Sequence, residues 1–230
     1  MNDDGGHEGG HLDAMTWPCI FYPSLHKLEN ELGGDQNALA ALKIMKDSFS
    51  NVEKSNQSVL FDLSLVLLNE VKLDVNIQET YLRMQGQALP FHPEFDLQHP
   101  ALQFRLLNAK ATDLRLILSK VPDQMMDRRA FLDTIKEIAS SIKALLDATN
   151  EVLTIVPPTI QQAVEKRKRE FVHYSKRFSN TLKDYFRDQN AKQVSVSANQ
   201  LIYQTNQIVR TLSDRIHRHN YHLQHAPPHH

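Results

Sequence analysis

Glycine is missing from the last 144 residues of this 230-residue chain. All seven glycines lie at or before Gly86, four of them at Gly5, Gly6, Gly9 and Gly10. A loop that cradles phosphate needs glycine, because its backbone must approach the phosphate closely and take positive φ. P-loops and dinucleotide-binding turns are thereby excluded from most of the chain. Strand-rich folds also depend on glycine turns, so their absence points away from sheets. Cysteine is nearly absent too: Cys19 stands alone and can form neither an internal disulfide nor a cysteine-based zinc site. A single cysteine suits a reducing, cytoplasmic setting. Charge of one sign is not in excess. The net charge of −1 rules out a chain that binds nucleic acid through its overall field. Residues 1–11 are acidic and Gly-rich, unlike a secretory signal. The most apolar stretch, Val59–Leu68, carries Asp62 and is far shorter than the ~20 residues of a membrane span.

What remains is helical periodicity. Residues 1–14 read as a disordered tail. Residues 15–85 hold short helical patterns: one from Trp17 to the Gly33-Gly34 stop, one over 36–52, an unusually apolar one over 58–71, and a short one opened by Asn76 with its capping Glu79. So few residues make a marginal core, and an apolar helix with little to cover it suggests dimerisation. Residues 86–101 contain Gly86, Pro90, Pro93 and Pro100 and read as a linker. Four longer patterns follow over 102–119, 123–153, 159–187 and 194–216, with Pro122 and Pro157-Pro158 as breaks. Four amphipathic helices on short loops predict an up-and-down four-helix bundle over 102–216. The His-rich end, 217–230, reads as a disordered tail. The fold class is therefore all-α.

Two stripes stand out. Lys136, Ala139 and Lys143 share one side of the second bundle helix, beside Ile142 on its core face. Lys176, Ser179 and Lys183 repeat the spacing on the third. Either they are ordinary solvated faces, or they meet across a groove with a small floor and lysine rims, suited to an amphipathic helix with acidic flanks. The run Lys166, Arg167, Lys168 and Arg169 is a candidate for peripheral contact with anionic lipid, but Glu165 and Glu170 bracket it and a helix spreads it around its circumference. The tail histidines lack a scaffold that would make them a metal site. No catalytic constellation, cofactor motif or metal motif is legible, so a non-enzymatic role is expected.

The stretches LILSKVPDQMMDRRAFLDTIKEIASSIKALLD (116–147), REFVHYSKRFSNTLKDYF (169–186) and VSVSANQLIYQTNQIV (194–209) closely resemble the programmed cell death protein 10 family, also called the cerebral cavernous malformation 3 protein family. FYPSLHKLE (21–29) and VNIQETYLRM (75–84) match more weakly. The resemblance implies an N-terminal dimerisation domain and a C-terminal bundle similar to focal adhesion targeting domains. It implies an adaptor that pairs with the tails of germinal-centre-kinase-III Ste20-type kinases and joins them to striatin-phosphatase assemblies. It also implies binding of leucine- and aspartate-rich helical motifs like those of paxillin and the cerebral cavernous malformation 2 scaffold. The family's motif-binding positions fall on Lys136, Ala139, Lys143, Lys176, Ser179 and Lys183. Its dimer-face positions fall on Met45, Ser48, Leu67 and Leu68, for a homodimer or a heterodimer. Cytoplasmic location with Golgi and cell-membrane association is implied as well. The competing expectation is a membrane-surface module that uses Lys166–Arg169 and the groove lysines on phosphoinositides.

Overall fold

The computed structural model describes residues 10–56, 58–88, 92, 97 and 99–224. Every regular element among them is helical, as the periodicity predicts. The expected tail is shorter than residues 1–14, because Gly10–Thr16 form helix α1 with Leu12 and Met15 buried; residues 1–9 lie outside the described residues. The chain then passes through a π-helical turn, Trp17–Phe21, straight into α2, Tyr22–Glu31. Pro18 accounts for the π register. It has no N–H to donate and its ring crowds the carbonyl four residues back, so the ladder widens and Tyr22 N–H reaches Trp17 O. Gly33 ends the run with a φ of +58°, a conformation that costs a side chain dearly.

Asp35 opens α3, Gln36–Ser55, by accepting from the N–H groups of Asn37 and Ala38. Helix α4 follows at Ser58–Glu70. Asn76 caps α5, Ile77–Gln85, by accepting from Glu79 N–H, as its sequence predicts. Trp17, Leu25, Leu42 and Leu60 form a small core cluster where these helices meet.

The bundle consists of α6 (Leu102–Ser119), α8 (Arg128–Leu153), α9 (Pro158–Asp188) and α10 (Ala191–Gln224), with one-turn α7 (Val121–Gln124) between the first two. Asp127, not Asp123, caps α8; Pro122 does not simply stop α6 but sits in the first turn of α7, where a missing N–H is harmless. Helix α10 runs past the expected end at residue 216 to Gln224; the side chains of 219–224 and all of 225–230 lie outside the described residues. Helices α6 and α8 pack closely along their length, as do α9 and α10, whereas α8 and α9 touch at few points.

The expected linker does not divide two cores. Leu12, Met15, Cys19, Tyr81 and Leu82 belong to the same large hydrophobic cluster as Phe131, Phe171 and Phe178 of the bundle. Helix α5 lies on α10 and α6. Asn199 of α10 donates to the Gln78 carbonyl at 2.8 Å and to its side chain at 3.0 Å, all buried. Val194–Asn199 are buried on every side, and the polar members Ser195, Ser197 and Asn199 donate hydrogen bonds to Ala191, Val194 and Gln78. Thr16 and Tyr81 share a hydroxyl hydrogen bond of 2.8 Å. Burial pushes the Tyr81 phenol up to about 12. Gly86 is required where α5 ends: a Cβ there would stand 2.6 Å from Ser119 Oγ of α6. Ala88, His92 and Leu97, from within 86–101, are themselves buried; 89–91, 93–96 and 98 lie outside the described residues.

Candidate functional site: a groove between α8 and α9

Three contacts fix the antiparallel register of α8 and α9. The Arg128 guanidinium lies over the Phe186 ring at 5.9 Å. Phe131 packs edge-on against Tyr185 with ring centroids 5.5 Å apart. At the other end Lys168 Nζ donates to Asn150 Oδ1 at 2.9 Å. This register sets Lys136 at the level of Ser179 and Lys183, Ala139 beside Ser179, and Lys143 beside Lys176.

The rotation of each helix follows from its other neighbour. Glu137, Ser140, Ser141 and Ala144 of α8 line a cleft shared with α6. Residues on the opposite flank, Lys136, Ala139 and Lys143, therefore turn toward α9. On α9, Glu170, His173 and Arg177 line a cleft with α10, so Lys176, Ser179 and Lys183 turn toward α8. All six stripe residues are exposed, and Ile142 between them is half-buried against the main core. Ala139 is thus a surface residue rather than a core one, and the register puts the two stripes at the same level of the bundle. Small side chains at the floor let a partner helix approach closely, and four lysines stand on the rims.

The sequence reading missed the apolar end of this groove. Leu132 and Phe186 are exposed there, on the same flanks as Lys136 and Ser179. Leu132 stands one turn before Lys136, so its spacing carried the signal. Lys136 Nζ is already paired with Asp133 at 2.8 Å, an exposed contact that an incoming carboxylate displaces cheaply.

The basic run is dispersed. Arg167 pairs with Glu170 at 2.8 Å and Lys168 with Glu165 at 2.7 Å, which leaves Lys166 and Arg169 as its exposed members. Among the described residues, no group of three or more His, Cys, Asp or Glu could hold a metal ion. No helix among the described residues is long and apolar enough to cross a membrane.

A second surface lies at the N-terminal helices. One stripe of α4 is buried at Leu60, 1% exposed, yet bare one stretch further along at Leu67, 52% exposed, and beyond the helix at Val71, 68% exposed. Leu67 and the half-buried Leu68 border an apolar pocket of about 390 Å³ with Phe21, Leu25, Leu73 and Tyr81. On α3, Met45 and Ser48 are exposed, and Ile44 beside them is more so. The Ser48 hydroxyl donates to the Ile44 carbonyl at 2.7 Å, so its polar group is satisfied without a partner. The sequence reading had named Met45, Ser48, Leu67 and Leu68 but not Ile44, Val66 or Val71, which extend this apolar surface.

The family described as "Programmed cell death protein 10, C-terminal" matches residues 75–170, a span that opens just ahead of α5. A protein from Caenorhabditis elegans, "Programmed cell death protein 10 homolog", is 51% identical over 215 residues, which is 92% of this chain and 98% of that protein.

Proposed function

Since the chain belongs to the programmed cell death protein 10 family, we propose that it is a non-enzymatic adaptor with two docking surfaces on one rigid helical frame. The α8–α9 groove takes leucine- and aspartate-rich helical motifs, of the kind carried by paxillin and the cerebral cavernous malformation 2 scaffold. The N-terminal apolar surface takes the tail of a germinal-centre-kinase-III Ste20-type kinase or a second copy of the chain. Through these contacts the protein brings such kinases to striatin-based phosphatase assemblies, in the cytoplasm and at Golgi and cell membranes.

What supports this reading is a pair of exposed stripes on adjacent, loosely packed helices: Lys136, Ala139 and Lys143 on α8, and Lys176, Ser179 and Lys183 on α9. The leucines of a motif helix lie on Ala139, Ser179 and Ile142, and Leu132 and Phe186 receive its end. Its carboxylates meet the lysines, each pair contributing about 0.2–1 kcal/mol and weakening with salt.

The test is a calorimetric titration of the full chain with a paxillin-type leucine-aspartate peptide. Single lysine changes weaken binding a few-fold, and Lys136→Ala with Lys183→Ala weakens it further. Raised salt shrinks these differences. Peptide affinity that ignores the double change would remove the groove from the proposal, and binding only to anionic vesicles would favour the lipid module instead.

A further inference from the structure

A different cleft, of about 590 Å³, opens on the far flank of α9, where α9, α10 and the start of the described chain meet. Arg169, His173 and Arg177 enter it from α9, Gln200 and Gln204 from α10, and His11 from α1. None of these residues takes part in the α8–α9 groove, which uses the opposite side of α9. The cleft is large enough for a few residues of peptide rather than for a lone ion.

Its lining is mixed in a specific way. Arg177 is exposed, with its guanidinium held over the Tyr174 ring at 5.2 Å, which presents a planar fork of N–H donors to the cleft. Arg169 adds a second exposed cation. Gln204 is only 6% exposed, yet its buried Oε1 has no hydrogen-bond partner. His11 Nδ1 is likewise buried and without one. Buried polar atoms in folded proteins nearly always find partners, so two orphans on one cleft wall mark places a ligand fills. The His11 ring packs at a tilt of 59° against the Tyr203 ring, with centroids 4.7 Å apart. Glu170 also borders the cleft, although Arg167 already neutralises it at 2.8 Å.

Two arginines call for an anion, and the Gln204 oxygen calls for an N–H or O–H donor. A polyphosphate meets the first demand but offers Gln204 no donor. A peptide meets both, with a side-chain carboxylate for the arginine forks and backbone N–H groups for Gln204. We propose that the α9–α10 cleft is a second peptide-binding site, which takes a short extended acidic segment of a partner protein. The arginines fix the carboxylate, and Gln204, with Gln200 one turn before it, reads the backbone. The site operates independently of the α8–α9 groove, so an adaptor of this kind holds two peptides on opposite flanks of one helix.

The experiment is selection of random eight-residue displayed peptides on the full chain carrying Ala139→Asp, which removes binders of the other groove. Enriched sequences are then titrated against that protein with and without Arg177→Glu, and with Gln204→Leu. Arg177 is exposed, so the charge reversal leaves the melting temperature in place; Gln204→Leu keeps the volume and removes the amide. Enriched peptides carry Asp or Glu, and both changes weaken them at least tenfold. Neutral or basic winners, no enrichment at all, or winners that bind the Arg177→Glu protein within twofold would overturn the site. So would inorganic phosphate or inositol phosphate displacing the peptide at lower concentration than free acidic peptide does.

Discussion

Two regions of this molecule use the same kinds of residue to opposite ends. The bundle, with α1 and α5 laid against it, buries thirty hydrophobic residues in one cluster among the described residues. The helices α2, α3 and α4 enclose a cluster of four, Trp17, Leu25, Leu42 and Leu60, and leave Ile44, Val66, Leu67, Val71 and Leu73 exposed. The bundle buries most of its apolar stripes between neighbouring helices, with exposures such as Leu116, Leu132 and Phe186 left at its margins. The N-terminal helices are open because α4 outruns the helices that cover it. Apolar area left in water at one end of a continuous stripe is what a second chain removes. The contrast also separates two modes of recognition: an apolar surface that needs occupation, and a closed bundle that offers a wet, charged groove on its outside.

The comparison can be broken most sharply in the core. Phe171 is fully buried between the bundle helices. Phe171→Ala should destabilise the fold by about 3–5 kcal/mol, seen as a large drop in melting temperature. If the melt hardly moves, the large cluster is not the seat of stability. Leu67→Asp with Leu68→Asp should do the reverse. It should abolish self-association and kinase-tail binding in ultracentrifugation, since two charges in an apolar interface cost several kcal/mol, roughly 2–5 in sum. The melt should fall only modestly, because Leu67 already faces water and Leu68 is only half-buried. A variant that assembles like the parent would show that another face is used.

Acid should reveal the buried His92, which lies between α5 and α6. Burial, together with the neighbouring Arg115 cation, lowers the His92 imidazole to about 4. The unfolded chain binds this proton from about pH 6.5 downward and the folded one does not until about pH 4. The stability tied to His92 is therefore complete above that window and is lost as pH falls through it, by up to about 3 kcal/mol. Thermal melts at pH 7 and pH 4.5 should differ less in His92→Phe than in the parent. A smaller effect tests whether α5 belongs to the bundle. Asn199→Leu removes both buried hydrogen bonds to Gln78 and should cost about 1–3 kcal/mol. An unchanged melt would mean that α5 docks without that bond.

The sequence made the outer architecture legible and the joints illegible. Helix α6 runs over the residues its periodicity and Pro122 mark out, and Asn76 caps α5 as its pairing with Glu79 announces. Helix α1 escaped notice because Leu12 and Met15 make only one turn, too short for any period to show. The passage through Pro18 was hidden because a π register rescues a helix that proline alone would end. The placement of α5 on α10 turns on Asn199 meeting Gln78, a contact 121 residues apart that no local pattern encodes. The stripes Lys136, Ala139, Lys143 and Lys176, Ser179, Lys183 were legible as stripes. Their common level in the bundle depended on the α8–α9 register, and the exposure of Leu132 and Phe186 on tertiary packing.

The most direct test of the groove is Ala139→Asp in the full chain, with thermal melts and peptide titrations on the same samples. Ala139 is exposed on α8 between Lys136 and Lys143, so the added carboxylate should leave the melting temperature nearly unchanged. It fills the floor and repels the acidic motif, so the leucine-aspartate peptide should bind more than tenfold more weakly, a loss above about 1.4 kcal/mol. Full affinity in the folded variant would contradict the groove, and a collapsed melt would show that Ala139 supports the core instead.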